Sequence, residues 1–203
     1  MKRILLYFWS LVGASIAAAI LVLTLSSPAT AQVVPPERNA LDVGVIPVYG
    51  TTIYTAGFSH SLNRALDLTA GYVYETSSGN TASLLDAGLR YHFPSPTSRV
   101  DFYLSGGYSS INASASMSFG NFTASGSGYN VGAGGSLHLT RALAVYASAS
   151  YLSFSGLGSV GFYDVGLQLQ FAPHVSGRIG ALALSSGGSI GGGPYLGLSV
   201  TFP

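Results

Sequence analysis

The chain has 203 residues, of which 48% are hydrophobic and only 7% charged, with a net charge of +1 and no cysteine. A soluble domain carries about 25% charged residues, so the usual solvated coat is missing. The near-neutral charge offers nothing to nucleic acid, and without cysteine there is neither a disulfide framework nor a thiolate metal site.

Past the N-terminus no run of about 20 apolar residues occurs, which argues against a helical membrane protein. A closed β-barrel is the main remaining way for such a chain to cross lipid, where every backbone group must be paired. The 27 glycines and 13 tyrosines fit that class.

At the N-terminus, Lys2 and Arg3 precede an apolar run from Ile4 to Leu25 that ends at Ser26, Ser27 and Pro28. Ala29-Thr30-Ala31 then forms an A-x-A cleavage site before Gln32. These are the features of a cleaved secretory signal peptide, helical in the precursor, over residues 1–31. The alternative is an uncleaved anchor, because the apolar run is long for a signal sequence. Residues 32–40, with Pro35 and Pro36, read as a short periplasmic lead, and residues 41–203 as the barrel.

Alternation with a period of two predicts the strands. Leu41 to Val48 is the weakest, because Pro47 belongs at an edge, end or bulge. Thr52 to Leu62, Ala65 to Glu75, Ala82 to Phe93 and Arg99 to Ile111 follow, with turns at Asn63-Arg64-Ala65, Thr76–Asn80 and Pro94–Ser98. Asn112 to Ser125 reads as the longest loop, with Met117, Phe119 and Phe122 as an apolar tip.

The clearest hairpin is Tyr129 to Phe154, turning at Thr140-Arg141. Tyr129, Val131, Ala133, Gly135, Leu137 and Leu139 share one face of its first strand. Leu143, Val145, Ala147, Ala149 and Tyr151 share one face of its second, with Tyr146, Ser148, Ser150 and Ser153 mostly opposite. Such lengths suit strands crossing a bilayer, which need roughly 9–11 tilted residues.

After a loop at Ser155–Ser159 come Val160 to Phe171, a turn at Ala172-Pro173-His174, Val175 to Ser185, a glycine-rich loop at Ser186–Gly193, and Pro194 to Phe202. The expected fold is all-β, an antiparallel up-and-down transmembrane barrel of about ten strands, with eight as the alternative. Short periplasmic turns are expected to alternate with longer outer loops. Tyr72, Tyr74, Tyr91, Phe93, Phe154, Phe171, Tyr195 and Phe202 are expected as interfacial girdles.

Mid-strand charges fall almost entirely on the polar faces: Asp67, Glu75, Asp86, Arg90, Asp101, Asp164 and Arg178, joined by His92 and His138. A lumen network of ion pairs and hydrogen bonds accounts for them, since Arg or Lys facing lipid at the midplane costs about 2–4 kcal/mol. No nucleophile and base come together in this layout, so no catalytic residue, cofactor or metal ligand is assigned. The GAGG and GGSIGGG runs do not join a strand to a helix, which removes the phosphate-loop reading.

TAGFSHSLNRALDLTAGYVYE, LLDAGLRYHF, DFYLSGGYSS, YNVGAGGSLHLTRALAVYASASYLSF and FYDVGLQLQF together resemble the small outer-membrane β-barrel family of OmpA/OmpX type, also described as porin-family or opacity-like barrels. The final stretch, with Tyr195, Gly197, Val200 and Phe202, resembles the C-terminal signal read by the outer-membrane assembly machinery, although Pro203 follows its last aromatic residue. The resemblance implies a bacterial outer-membrane location. It also implies outer-membrane lipid as surroundings, and the assembly machinery and periplasmic chaperones as partners during biogenesis, for a chain expected to be monomeric.

Three roles remain open at this point. A structural, membrane-integrity protein leads. A narrow diffusion pore is second, opposed by the bulky inner-face residues Tyr103, Tyr146 and Phe162. Surface adhesion or recognition through the outer loops is third.

Overall fold

The computed structural model describes residues 39–48, 51–77, 80–94, 99–117, 120–186 and 189–202. The expected signal peptide, its site at Ala29 and Ala31, and most of the lead that follows lie outside the described residues. Ten strands follow one another in the chain. They are β1 (Asn39–Val48), β2 (Thr51–Ser61), β3 (Leu66–Ser77), β4 (Asn80–His92), β5 (Val100–Met117), β6 (Gly120–His138), β7 (Leu143–Phe154), β8 (Gly158–Ala172), β9 (Val175–Ser186) and β10 (Ser189–Phe202).

Each strand pairs antiparallel with its sequence neighbours, and β1 closes the ring on β10, with Asn39 opposite Phe202. Closure leaves no sheet edge along the body of the barrel, which is the condition for spanning hydrocarbon with strands. The start of β1 and the end of β10 therefore lie at one end of the cylinder, called here the terminal end. The opposite end is the far rim.

Outward residues form a continuous apolar surface. On β8, Tyr163, Val165, Leu167, Leu169 and Phe171 are all exposed, and on β10 so are Leu196, Leu198, Val200 and Phe202. The outward side of every other described strand is built the same way over its membrane-length portion. All six described carboxylates and the two mid-strand arginines turn inward, and the remaining described arginines, Arg64, Arg99 and Arg141, sit exposed in turns at the terminal end.

Two of those turns are one motif used twice. Leu62-Asn63-Arg64-Ala65-Leu66 and Leu139-Thr140-Arg141-Ala142-Leu143 close with the same pair of backbone bonds. Leu62 and Asn63 donate to the Leu66 carbonyl, and Leu139 and Thr140 donate to that of Leu143. In each, the second residue's side chain caps the turn: Asn63 Oδ1 accepts from the Ala65 amide at 2.8 Å, and Thr140 Oγ1 accepts from the Leu143 amide at 3.0 Å. Short polar side chains that bond nearby backbone are the usual makers of such turns.

At the far rim the structure departs from expectation. Apart from residues 118 and 119, which lie outside the described residues and include the expected tip residue Phe119, Asn112 to Ser125 is strand rather than loop. β5 and β6 run on through it in unbroken register, from Asn112 opposite Ser125 to Met117 opposite Gly120. Ser186 to Gly193 is likewise mostly strand. Only two or three residues separate the strands at the far rim, whereas Phe93 to Arg99 joins β4 to β5 at the terminal end. The expected contrast of short periplasmic turns with longer outer loops is therefore reversed.

The cause is compositional. Small Ser, Ala and Gly residues resemble a loop, yet here they alternate, with Asn112 and Ser116 outward and Ala115 inward. Between β7 and β8 the chain turns through Ser155–Leu157, where Gly156 and Gly158 adopt φ of 77° and 89°, a region that favours glycine. β7 ends opposite Gly128, so the β5–β6 hairpin projects past its β7 neighbour.

Candidate functional site

The barrel interior is the natural place for a site, and it is divided into two storeys. Toward the terminal end it is polar. Asp67 on β3, Arg90 and His92 on β4, and Asp101 on β5 meet there, because Asp67 stands opposite Arg90 and His92 opposite Tyr103. His92 Nε2 is 3.1 Å from Asp67 Oδ2, and Nδ1 is 3.0 Å from Asp101 Oδ1. Arg90 is almost fully enclosed, its guanidinium carbon 4.6 Å from the centre of the Tyr103 ring.

Across the lumen, Arg178 on β9 lies 3.7 Å from Asp42 on β1 and 5.7 Å from the Tyr146 ring centre. The Arg178–Asp42 separation is an ion pair rather than a direct hydrogen bond. Asp164 is within electrostatic reach of the same arginine. Gln168 Nε2 donates to Ser176 Oγ at 3.0 Å.

Toward the far rim the interior is mainly apolar, with Glu75 buried within it. Ile46, Ile53, Val73, Leu84, Ile111, Leu152, Phe154, Val160, Phe162 and Leu182 pack into one cluster that Tyr146 and Tyr195 join from below. Phe162 and Ile53 are wholly enclosed. Leu157, in the β7–β8 turn, packs against the cluster from above. This half of the lumen is a packed core rather than a water path.

The predicted network is thus only partly one network. Asp67, Arg90, His92 and Asp101 come together, with His138 near Asp101 and facing inward. Asp164 and Arg178 belong to a second group on the other wall. Glu75 is buried opposite Ile53, at the level of the apolar cluster, and Asp86 sits mid-strand on the inner face of β4.

Asp42 was missed. It follows the same rule as the others, since Ala40, Asp42 and Ile46 are inward and Leu41, Val43 and Val45 outward. Pro47, which makes this the weakest of the expected strands, pairs with Thr52 at the far end of β1. Two expected girdle residues are corrected as well: Phe154 and Tyr195 are buried inside the barrel. Alternation requires this, since each lies an even number of residues from an inward neighbour, Phe154 two from Leu152 and Tyr195 four from Ser199. In the expected assembly signal, Val200 and Phe202 face outward, whereas Tyr195 and Gly197 lie on the inner face. Tyr103, Tyr146 and Phe162 are interior, as expected.

Chemically, the His92 group is unsuited to nucleophilic catalysis. A histidine that acts as a base needs one ring nitrogen free for a hydroxyl or water, and here both nitrogens face carboxylates. Among the described residues no group of three or more His, Cys, Asp or Glu side chains could hold a metal ion.

No protein-family model matches this sequence, and no curated protein matches it. Solved structures do match. The N-terminal β-barrel domain of Pseudomonas aeruginosa OprF is 15% identical, with a TM-score of 0.52 over 82% of this chain and 98% of that one. The NanC porin is 10% identical, with a TM-score of 0.50 over 80% of this chain and 98% of that one. The translocator domain of the autotransporter NalP from Neisseria meningitidis is 12% identical, with a TM-score of 0.50 over 81% of this chain and 86% of that one. At these identities the likeness is one of architecture, and the chain has the fold of the small outer-membrane β-barrels.

Proposed function

We propose that this chain is a non-catalytic, non-conducting barrel of the bacterial outer membrane with a structural, membrane-integrity role. It would reach the membrane through a cleaved signal peptide, with its terminal end toward the periplasm. The observation that carries this reading is the filled interior. A conducting barrel needs a continuous polar path, and here the Phe162, Leu152 and Ile53 layer lies across it. Ten strands enclose only slightly more than the eight whose interior side chains just fill. The fold shared with known outer-membrane barrels supports the location, and the outward placement of Val200 and Phe202 on the last strand supports recognition by the assembly machinery.

Planar-bilayer recording of the purified, folded barrel tests this. The expected result is no discrete conductance from the native chain and stable steps from a Phe162→Ala, Tyr146→Ala double variant. Stable steps from the native chain would overturn the structural reading in favour of a narrow pore. A second reading, contact with partners at the cell surface, is favoured by one observation: the β5–β6 hairpin stands beyond its β7 neighbour.

A further inference from the structure

A groove of about 370 Å³ lies on the outer wall of the barrel near the far rim, across β3 to β6. Its floor is built by register. Tyr74, Ser83, Asn112 and Ser125 stand side by side in one row, and Thr81, Ser114 and Thr123 in the next. Thr81 Oγ1 and Ser114 Oγ are 2.7 Å apart, so the hydroxyls are already organised. The exposed rings of Tyr72 and Tyr74 form one wall. No lining residue is charged.

The groove begins where the lipid-facing surface ends. On β5 the outward residues change from Phe102, Leu104 and Tyr108 to Ser110, Asn112 and Ser114, and on β6 from Val131 and Tyr129 to Ser127, Ser125 and Thr123. Aromatic residues mark the membrane–water boundary, and the outward band of a barrel is about 25 Å tall. The groove therefore opens at headgroup level, on the far-rim side.

We propose that this groove binds neutral sugar residues. Tyrosine rings offer flat apolar platforms with a polar tip, while the Ser, Thr and Asn rows supply donors and acceptors at the spacing of neighbouring strands, about 4.8 Å. The absence of charge in the lining disfavours phosphate, which is held by Arg, Lys or oriented amides. The sugars come either from the headgroup of a glycolipid in the same leaflet or from a free oligosaccharide. The first source rests on the outer-membrane reading above.

The test uses the intact chain extracted from membranes in a detergent without a sugar headgroup. Native mass spectrometry and tyrosine fluorescence follow binding of a neutral glycolipid, digalactosyl diacylglycerol, and, separately, of its lipid-free digalactosyl glycerol headgroup. Binding of the glycolipid should weaken about tenfold or more in Asn112→Leu and in Tyr74→Ala. It should be unchanged in Tyr163→Ala, a lipid-facing ring on β8, and unaffected by EDTA. Binding of the lipid-free form with the same variant dependence identifies a free glycan as the source, and binding of the lipid-linked form alone identifies the headgroup. Equal binding by all variants, loss with EDTA, or no binding of either probe by a heat-modifiable folded barrel would overturn the proposal. None of these outcomes bears on conductance, so failure here and failure of the structural reading are separable.

Discussion

Tyr146 stands directly opposite Gly166 across the β7–β8 pair, and its hydroxyl occupies the space a side chain on Gly166 would need. The same relationship recurs twice. Tyr103 faces Gly134, and Tyr195 faces Gly180. All three tyrosines are buried, and each ring covers a glycine whose missing Cβ makes room for it. An aromatic ring laid over a cross-strand glycine restores packing that the glycine forfeits. The glycines that look like flexible spacers in the sequence are therefore sockets for the interior rings.

Gly166→Ala is expected to destabilise the barrel. The new Cβ would lie 2.5 Å from the Ile179 carbonyl oxygen as well as against the Tyr146 hydroxyl. A ring tip can swing away, but the backbone of a paired strand cannot. Overpacking of this kind costs about 1–3 kcal/mol. Gly197→Ala is the control: its nearest neighbour would be the Val43 carbonyl oxygen at 3.5 Å, ordinary contact. Its change should stay within about 0.5 kcal/mol. Urea titration of both variants in phospholipid vesicles measures the difference, and equal effects would show that the Tyr–Gly sockets do not restrain the fold.

The ion pair between Arg178 and Asp42 supports a second prediction. Both side chains are nearly enclosed. Removing one partner of a buried pair leaves an uncompensated charge, at a cost of about 3–5 kcal/mol, whereas replacing both by apolar groups is often neutral. Arg178→Leu should therefore be strongly destabilising, and Arg178→Leu with Asp42→Leu should recover most of the loss. Asp164 also lies within reach of Arg178, so recovery will be incomplete unless Asp164→Asn is added. A double-mutant cycle on unfolding free energies reads this directly. Additive losses in the double variant would mean that the pair is not coupled.

These two predictions draw on different parts of what the sequence made legible. Strict alternation exposed the strands and the inward turn of nearly every charge, because a period of two survives whatever the strand packs against. Asp42 is less legible because Pro47 interrupts the strand pattern, although Leu41, Val43 and Val45 form a clear outer face that turns it inward. The apolar plug escaped for a physical reason. Polarity distinguishes the two faces of a strand only where lipid lies on one side and polar lumen on the other. At Ile53, Val73, Leu84 and Leu152 both sides of the strand are apolar surroundings, so hydrophobicity carries no face information. Strand parity does carry it, since each of these residues lies an even number of positions from a buried neighbour on its own strand, Thr55, Glu75, Arg90 and Tyr146 respectively.

The long β5–β6 hairpin supports a third prediction. Beyond Ser127, β6 has no β7 partner, because the Ser155 amide donates to the Ser127 carbonyl and the chain then turns away. Residues past that point contribute little to barrel closure. Replacing residues 115–122 by a two-residue Asn-Gly turn should leave a folded barrel with its heat-modifiable mobility on gels, since that dipeptide suits tight hairpins. Loss of folding would show that the tip nucleates or braces the barrel.

The membrane boundary on this side can be located by charge. Leu104 and Ser114 both point outward from β5, ten residues apart, one in the apolar band and one beyond Tyr108 on the floor of the groove. An arginine facing lipid at the midplane costs about 2–4 kcal/mol and falls to about 0–1 near the interface. Leu104→Arg should therefore cut the stability of the vesicle-inserted barrel sharply, while Ser114→Arg should scarcely change it. The contrast depends on where hydrocarbon ends, because both positions have a strand on either side and neither turns into the lumen. Comparable losses at both positions would move the bilayer edge outward past Ser114. The groove would then lie in hydrocarbon, where rows of Ser, Thr and Asn would lack the water or sugar hydroxyls that satisfy them.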